Sequence, residues 1–153
     1  MDDLREKIKK HLETTRVIQL ATSINDKPWV CNVHFYSDED LNMYWCSLPT
    51  RRHSEEIESN PHVAATIKVH EDTPDEKYVI GLSVEGKVEI LNDEEIQKIG
   101  PSYIKKLDKD ENLIDDILSG KRADTFYRLK PINFVLFDTI NFPGNPRQEY
   151  KVA

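Results

Sequence analysis

The clearest chemistry in this 153-residue sequence lies at Thr50-Arg51-Arg52-His53, where a predicted strand ends and a predicted helix begins. Three basic side chains within one turn, beside the free N–H groups and the positive dipole of a helix N-terminus, form a site suited to phosphate. The same charges could instead be solvated and paired with the acidic residues that follow, Glu55, Glu56 and Glu58. We predict an anion site here, with a solvated, charged helix as the alternative.

Two predicted strands before this helix could hold a planar ring. One strand contains Cys31, Asn32 and Val33, and the next contains Trp45, Cys46 and Ser47. If the two strands lie side by side, a flat ligand fits between their edges. The alternative is ordinary core, because alternate residues from Trp29 to Phe35 share one face of any packed strand. The opposite face, which includes Val30 and Asn32, is only half polar, so we expect a partner subunit to cover it.

Several other classes of function are excluded by the composition. The five glycines, at positions 81, 86, 100, 120 and 144, are too dispersed for a dinucleotide fingerprint or a P-loop. The five histidines and two cysteines show no metal-ligand spacing, and no Gly-x-Ser-x-Gly elbow is present. A net charge of -7 offers no basic surface to nucleic acid. We therefore expect no bound metal and no nucleic-acid partner.

The hydropathy of the chain predicts one soluble domain. The composition is 38% hydrophobic, and no apolar run approaches the ~18 residues that a membrane span needs. The sequence begins Met1-Asp2-Asp3, with acid where a signal peptide carries a basic region. We expect a cytoplasmic protein without a membrane partner.

The elements that must position the candidate residues follow from hydrophobic periodicity and turn signals. Leu4, Ile8 and Leu12 predict an amphipathic helix, and the segments 17–24, 28–36 and 41–47 predict an antiparallel meander. Further helices are predicted at 51–59, with Thr50 as the N-cap, from a capping box at Asn92-Asp93-Glu94-Glu95 onward, with an interruption at Gly100-Pro101, and at 111–118. Further strands are predicted at 63–69, at 78–91, with a bend or bulge at Gly81 and Gly86, at 125–129 and at 132–140. The tail from 141 to 153 is expected to pack against another part of the protein as an extended arm. The fold class is α+β, mainly β, with an antiparallel sheet closed into a small barrel.

The order of these segments resembles the pyridoxamine 5'-phosphate oxidase-like family of FMN-binding split barrels, most of all a small bacterial branch of it. The resemblance is carried by the segments Val17–Thr22, Asn25-Asp26, Pro28–Tyr36, Leu41–Ser47, Arg51-Arg52-His53, Asn60-Pro61-His62-Val63, Ser83–Glu89 and Phe126–Pro131. It implies a single FMN-binding split-barrel domain over residues 1–153, with about six to seven antiparallel strands and peripheral helices. It also implies an FMN-dependent oxidoreductase. Alternatives within the same fold are a non-catalytic dimer that binds haem or no cofactor, and a deazaflavin-dependent reductase.

The resemblance further implies a homodimer with two FMN molecules at the subunit interface. Arg52 matches the family's phosphate-binding arginine, Arg51 a phosphate-contacting serine, and His53 a lysine. Cys31, Asn32 and Val33 would meet the isoalloxazine ring, and Trp45, Cys46 and Ser47 would follow the ribityl chain. From the tail, Phe142, Gly144 and Arg147 would reach the partner's cleft. Only 13 residues follow Ile140, whereas true vitamin B6 oxidases have a longer substrate-binding segment, so oxidation of pyridoxamine phosphate is not expected.

Histidine in place of lysine predicts a pH-dependent phosphate site. Imidazole titrates near pH ~6.5 and a phosphate monoester near ~6, so both are charged only in a narrow range. If His53 binds as a cation, FMN affinity is expected to be greatest at about pH 6 to 7 and to decline toward about pH 8. The alternative is that His53 is neutral and donates one hydrogen bond, or points away and leaves the phosphate to Arg51, Arg52 and the backbone.

Overall fold

Residues 2–70 and 73–152, which the computed structural model describes, form four helices and eight strands. The elements are α1 (Asp2–Thr14), β1 (Val17–Ile24), β2 (Lys27–His34), β3 (Tyr36–Ser37), β4 (Met43–Ser47), α2 (Arg52–Ser59), β5 (His62–Lys68), β6 (Ile80–Ile90), α3 (Asp93–Leu107), α4 (Leu113–Leu118), β7 (Thr125–Asp138) and β8 (Arg147–Lys151). The strands form one antiparallel sheet in the order β2-β1-β5-β6-β7-β4-β3, with β8 also on β7. The sheet curls into a half-barrel, which confirms the α+β split-barrel fold.

Residue Phe35 explains how the two ends of this sheet meet. It alone separates β2 from β3, the strands at opposite ends of the sheet path. Its side chain is fully buried, and its backbone N–H donates to the carbonyl of Arg16 at 3.0 Å. The chain therefore passes from one end of the sheet to the other at Phe35, and this brings β2 close to β4.

Local sequence signals produce the expected elements around the main core. Leu4, Ile8 and Leu12 of α1 are buried in it, as their spacing predicts. The turn between β1 and β2 places Asn25 and Asp26 at φ of 51° and 61°, a backbone region in which Asn and Asp are favoured in two-residue hairpins. The predicted helix and hairpin are thus confirmed.

The predicted meander of the first three strands is wrong. Among the residues that the structure describes, β2 pairs only with β1, whereas β4 pairs with β7 and with the short β3. β2 does not pair with the next strands in the chain, because the chain crosses at Phe35 from one end of the sheet to the other. Cys31 to Val33 and Trp45 to Ser47 therefore lie on strands that face each other across the split, rather than on paired strands.

Proline interrupts neither α3 nor β7, contrary to prediction. α3 is continuous through Gly100-Pro101; the proline lacks an N–H for one helical bond, and the buried Gly100 packs against Ile114 of α4. β7 continues through Lys130-Pro131, where Ile132 is the extra residue of a β-bulge opposite Glu85 and Gly86. The bulge predicted at Gly86 is confirmed, whereas Gly81 pairs in regular register with Lys68 and Phe137.

The tail packs against the sheet of the same chain, and part of it forms a strand that the sequence did not predict. Its residues 147–151 form β8, which pairs with β7 along the edge that the short β4 leaves unpaired. Phe142 packs against the main core of the same chain. Within the described residues, no helix is both long and apolar enough to cross a membrane.

Candidate functional site

A cavity of about 410 Å³ opens where β2 and β4 face each other, at the start of α2. It brings together half of the residues that the sequence marked as candidates: Asn32, Val33, Cys46, Ser47, Arg51 and His53. The remaining lining residues come from β2, the β4–α2 loop, α3 and the segments on either side of α4: His34, Leu48, Tyr103, Lys109, Arg122 and Asp124. The split between the two ends of the sheet is therefore a site large enough for part of a small ligand.

The start of α2 supplies backbone donors to this cavity. The helix begins at Arg52, with Arg51 rather than Thr50 as its N-cap and with no side-chain capping bond. Its first helical hydrogen bond runs from the N–H of Glu55 to the carbonyl of Arg51, at 3.0 Å. The N–H groups that precede Glu55 lie outside the helical ladder, as at any helix N-terminus, and they favour an anion.

His53 is the most buried of the basic residues at this helix start, with 8% of its surface exposed. Its Nε2 lies 3.0 Å from Ser47 Oγ, so β4 and α2 are joined by this hydrogen bond at the cavity wall. Burial, and then the charge of Arg51, lower the pKa of His53 below its ordinary value of 6.5. The imidazole is consequently neutral at pH 7 in the unliganded protein.

Arg52 turns away from the cavity. Its Nε donates to Glu56 Oε2 at 2.7 Å, and its guanidinium lies 4.2 Å from the centre of the Trp29 ring. Glu56 also accepts from the hydroxyl of Thr22 at 2.8 Å, and its bond to Arg52 lowers the pKa of this carboxyl group. The pairing of Arg52 with Glu56 is one that the alternative prediction of a charged helix included, but Glu56 is buried rather than solvated and fixes α2 to β1 through Thr22.

The remaining candidates lie elsewhere in this chain. Trp45 is fully buried in the main core and stacks on Tyr127 with 5.9 Å between ring centroids. Cys31 is half-buried against the same core, and burial raises the pKa of its thiol. Phe142, Gly144 and Arg147 do not line the cavity: Phe142 packs against the core, Gly144 is exposed, and Arg147 pairs with Phe137. Whether these tail residues reach a partner's site stays a prediction.

Sequence reasoning missed the groups on the far side of the cavity. Lys109 Nζ lies 2.9 Å from His34 Nδ1, and Arg122 Nε lies 3.1 Å from Asp124 Oδ1. Burial, and then Asp124, raise the pKa of the nearby Cys46 thiol to about 12, which keeps it protonated. The one signal in the sequence was the basic pair Lys121-Arg122, two residues before β7.

An antiparallel half-barrel with a cavity at its split and a basic helix start beside it defines a split-barrel protein. Residues 4–132 match the family model described as pyridoxamine 5'-phosphate oxidase, and the chain belongs to this family. No curated protein sequence matches the chain.

Solved structures of the same fold include proteins with different ligands in their descriptions. The conserved hypothetical protein Rv2991 from Mycobacterium tuberculosis is 16% identical, with a TM-score of 0.73 over 90% of this chain and 86% of that one. An FAD-binding protein from Mesorhizobium loti is 18% identical, with a TM-score of 0.62 over 85% and 89%. HutZ, the haem storage protein from Vibrio cholerae, is 21% identical, with a TM-score of 0.62 over 84% and 89%.

Proposed function

We propose that this protein binds FMN in the cavity at the split and acts as an FMN-dependent oxidoreductase on a small molecule. The observation that carries the proposal is the meeting of an anion-binding helix start with a cavity whose opposite walls come from β2 and β4. Membership of the oxidase family and the FAD-binding neighbour support a flavin. When bound, the flavin would supply the hydride or electron transfer.

The residues present fit a flavin phosphate. Arg51 lines the cavity beside the first N–H groups of α2, so its charge and the helix dipole act on the same anion. His53 and Ser47 form a neutral, hydrogen-bonded pair at the wall and can offer one further donor. In this arrangement Arg51 carries the phosphate, and Arg52 acts indirectly by fixing α2 through Glu56.

Titration with FMN tests the proposal. The freshly purified protein should show a flavin absorption band, or should quench FMN fluorescence when the cofactor is added. Arg51→Ala should weaken FMN binding about tenfold or more, because a charge-assisted hydrogen bond is worth about 1.5 to 3 kcal/mol. Arg52→Ala should have a smaller effect, and Lys105→Ala, an exposed change outside this cavity, should have none.

Equal FMN affinities in the wild type and Arg51→Ala would contradict the site. Riboflavin is the matched ligand control: because it has no phosphate, its affinity should be unchanged by Arg51→Ala.

A haem-binding protein is the second candidate. Two histidines, His34 and His53, line the cavity, and burial lowers the pKa of both, so each imidazole is neutral as an iron ligand requires. The haem storage protein HutZ shares the fold. A haem Soret band in place of a flavin band in the purified protein would favour this function, and a deazaflavin spectrum would identify the third alternative.

A further inference from the structure

A separate cavity, of about 590 Å³, opens between α1, β3 and α3. It shares no lining residue with the cavity at the split, so it is a site of its own. Its lining includes Lys106, a lysine of α3 that the function proposed above does not use. We propose that Lys106 is a nucleophilic lysine, which forms a reversible imine with a small, neutral hydroxy-aldehyde bound in this cavity.

Two contacts hold the amino group of Lys106 between α3 and the main core. Its Nζ donates to the carbonyl oxygen of Leu12, near the end of α1, at 2.9 Å. The same atom lies 3.9 Å from the centre of the Phe35 ring. The side chains of Leu12 and Phe35 are fully buried in the main core, so the amino group lies against apolar surface. Both contacts are to uncharged groups.

The two carboxylates that line this cavity are paired with a different lysine. Lys9 Nζ lies 3.8 Å from Glu13 and 2.7 Å from Glu39. Burial lowers the pKa of Lys106 to about 8; the charge of Glu13 opposes this shift, and that of Arg16 adds to it. At about pH 7, about a tenth of the Lys106 amino groups are then unprotonated, against about one in 3,000 at the ordinary pKa of 10.5. Desolvation of this kind is one way in which a lysine becomes a nucleophile.

The rest of the lining indicates a neutral ligand that carries hydroxyl groups. The two carboxylates are balanced by two lysines, Lys105 and Lys106, so the cavity has no excess of charge to attract an ion. The hydroxyl groups of Tyr36, Ser37 and Ser102 can each donate and accept a hydrogen bond. A short hydroxy-aldehyde matches both features.

The reaction of Lys106 with an aldehyde balances without an oxidant or a reductant. The unprotonated Nζ keeps one hydrogen bond to the carbonyl of Leu12, while its lone pair attacks the aldehyde carbon and forms a C–N bond. The carbonyl oxygen then leaves as water with the two amine protons, and a C=N bond remains. Protonation of the imine nitrogen restores one N–H, which can again donate to Leu12.

Reductive trapping in the full chain tests the site. Glyceraldehyde and propanal have the same three-carbon chain and differ in two hydroxyl groups. Each is incubated with the protein and sodium cyanoborohydride at about pH 7, and peptide mass spectrometry compares Lys106 with its exposed neighbour Lys105 in the same sample. We expect glyceraldehyde to label Lys106 at least tenfold faster than Lys105, because the larger fraction of free amine outweighs its lower basicity. With propanal this ratio should be about fivefold smaller, the loss expected for one hydrogen bond.

A pair of serine variants separates binding in the cavity from the reactivity of the amine. Ser102→Ala removes one hydroxyl group from the lining, so it should slow the labelling of Lys106 by glyceraldehyde about fivefold and leave labelling by propanal unchanged. Ser59→Ala is the matched control, because Ser59 is an exposed serine of α2 outside this cavity. Equal rates in the two variants would overturn the cavity as the place where the aldehyde binds.

Competitive acetylation with trace acetic anhydride between about pH 6 and 10 measures the titration of Lys106 separately from imine reduction. The acetylation rate of Lys106 should level off above about pH 8. A rate that still rises toward about pH 10, as for an ordinary lysine, would overturn the nucleophilic role. So would equal trapping of Lys106 and Lys105 by glyceraldehyde, and the same ratio with both aldehydes would overturn the hydroxy-aldehyde as the ligand.

Discussion

At the scale of single residues, His53 shows how burial changes a charge that the sequence appears to provide. The sequence counts three basic side chains at the start of α2, but burial and Arg51 lower the pKa of His53, and Arg52 is occupied by Glu56. Arg51 is the one arginine at this helix start that lines the cavity. The type of site was predictable from residue identity, whereas the division of roles depends on which way each side chain turns.

The lowered pKa of His53 predicts how FMN affinity depends on pH. Because burial and then Arg51 lower the pKa of His53 below its ordinary value, its imidazole is neutral throughout the range from about pH 7 to 8, and a phosphate monoester is largely dianionic over the same range. We therefore expect FMN affinity to be flat between about pH 7 and 8, unlike the decline that the sequence suggested. His53→Lys, which adds a permanent charge, should raise affinity at about pH 8.

Fluorescence titrations of both proteins at three pH values check this, with riboflavin as the phosphate-free control. A wild-type affinity that declines toward pH 8 while His53→Lys stays flat would show that the bound phosphate restores the charge on His53.

At the scale of elements, local signals predicted most helices and strands but not their partners. The Asn25-Asp26 hairpin, the Asn92 capping box and the bulge at Gly86 depend on residues close in the chain, and each is found where its signal lies. The pairing of β4 with β7 joins residues about 80 positions apart, and no local pattern encodes it. Lys109 and Arg122 were missed for the same reason, since they reach the cavity only through this pairing and the packing of α3.

Gly86 provides a stability test at this scale. A Cβ at Gly86 would lie 2.3 Å from the carbonyl oxygen of Lys130, a backbone atom that cannot move without disturbing the bulge in β7. Gly86→Ala should therefore lower the free energy of unfolding by about 2 kcal/mol or more, as overpacking of a tight site does. Gly81→Ala is the matched control on the same strand, because a Cβ there meets nothing within 4 Å.

Urea unfolding followed by circular dichroism measures both variants. If the free energy of unfolding falls as much in Gly81→Ala as in Gly86→Ala, the effect comes from replacing any glycine on this strand and not from the close approach of Gly86 to Lys130.

At the scale of the whole molecule, the edge strand β2 carries an exposed apolar surface that suits a second copy of the chain. Trp29 and Val30 lie on this edge, and 59% of the Val30 surface is exposed. Edge strands with apolar side chains are commonly covered by a partner. Removal of the tail after Ile140 does not test the dimer cleanly, because the tail contains β8 and would take a paired strand out of the sheet.

A substitution on β2 tests the homodimer without disturbing the sheet. We expect the wild type to sediment as a dimer at micromolar concentration, and Val30→Asp to weaken dimerisation at least tenfold, because a buried carboxylate without a partner is costly. FMN affinity should fall with it if the cofactor lies at the interface. Val79→Asp is the matched control, with 57% exposure in the loop before β6. If the wild type sediments as a monomer, or if Val30→Asp and Val79→Asp sediment alike, then β2 does not form a dimer interface. The cavity of a single chain would in that case have to bind the cofactor alone.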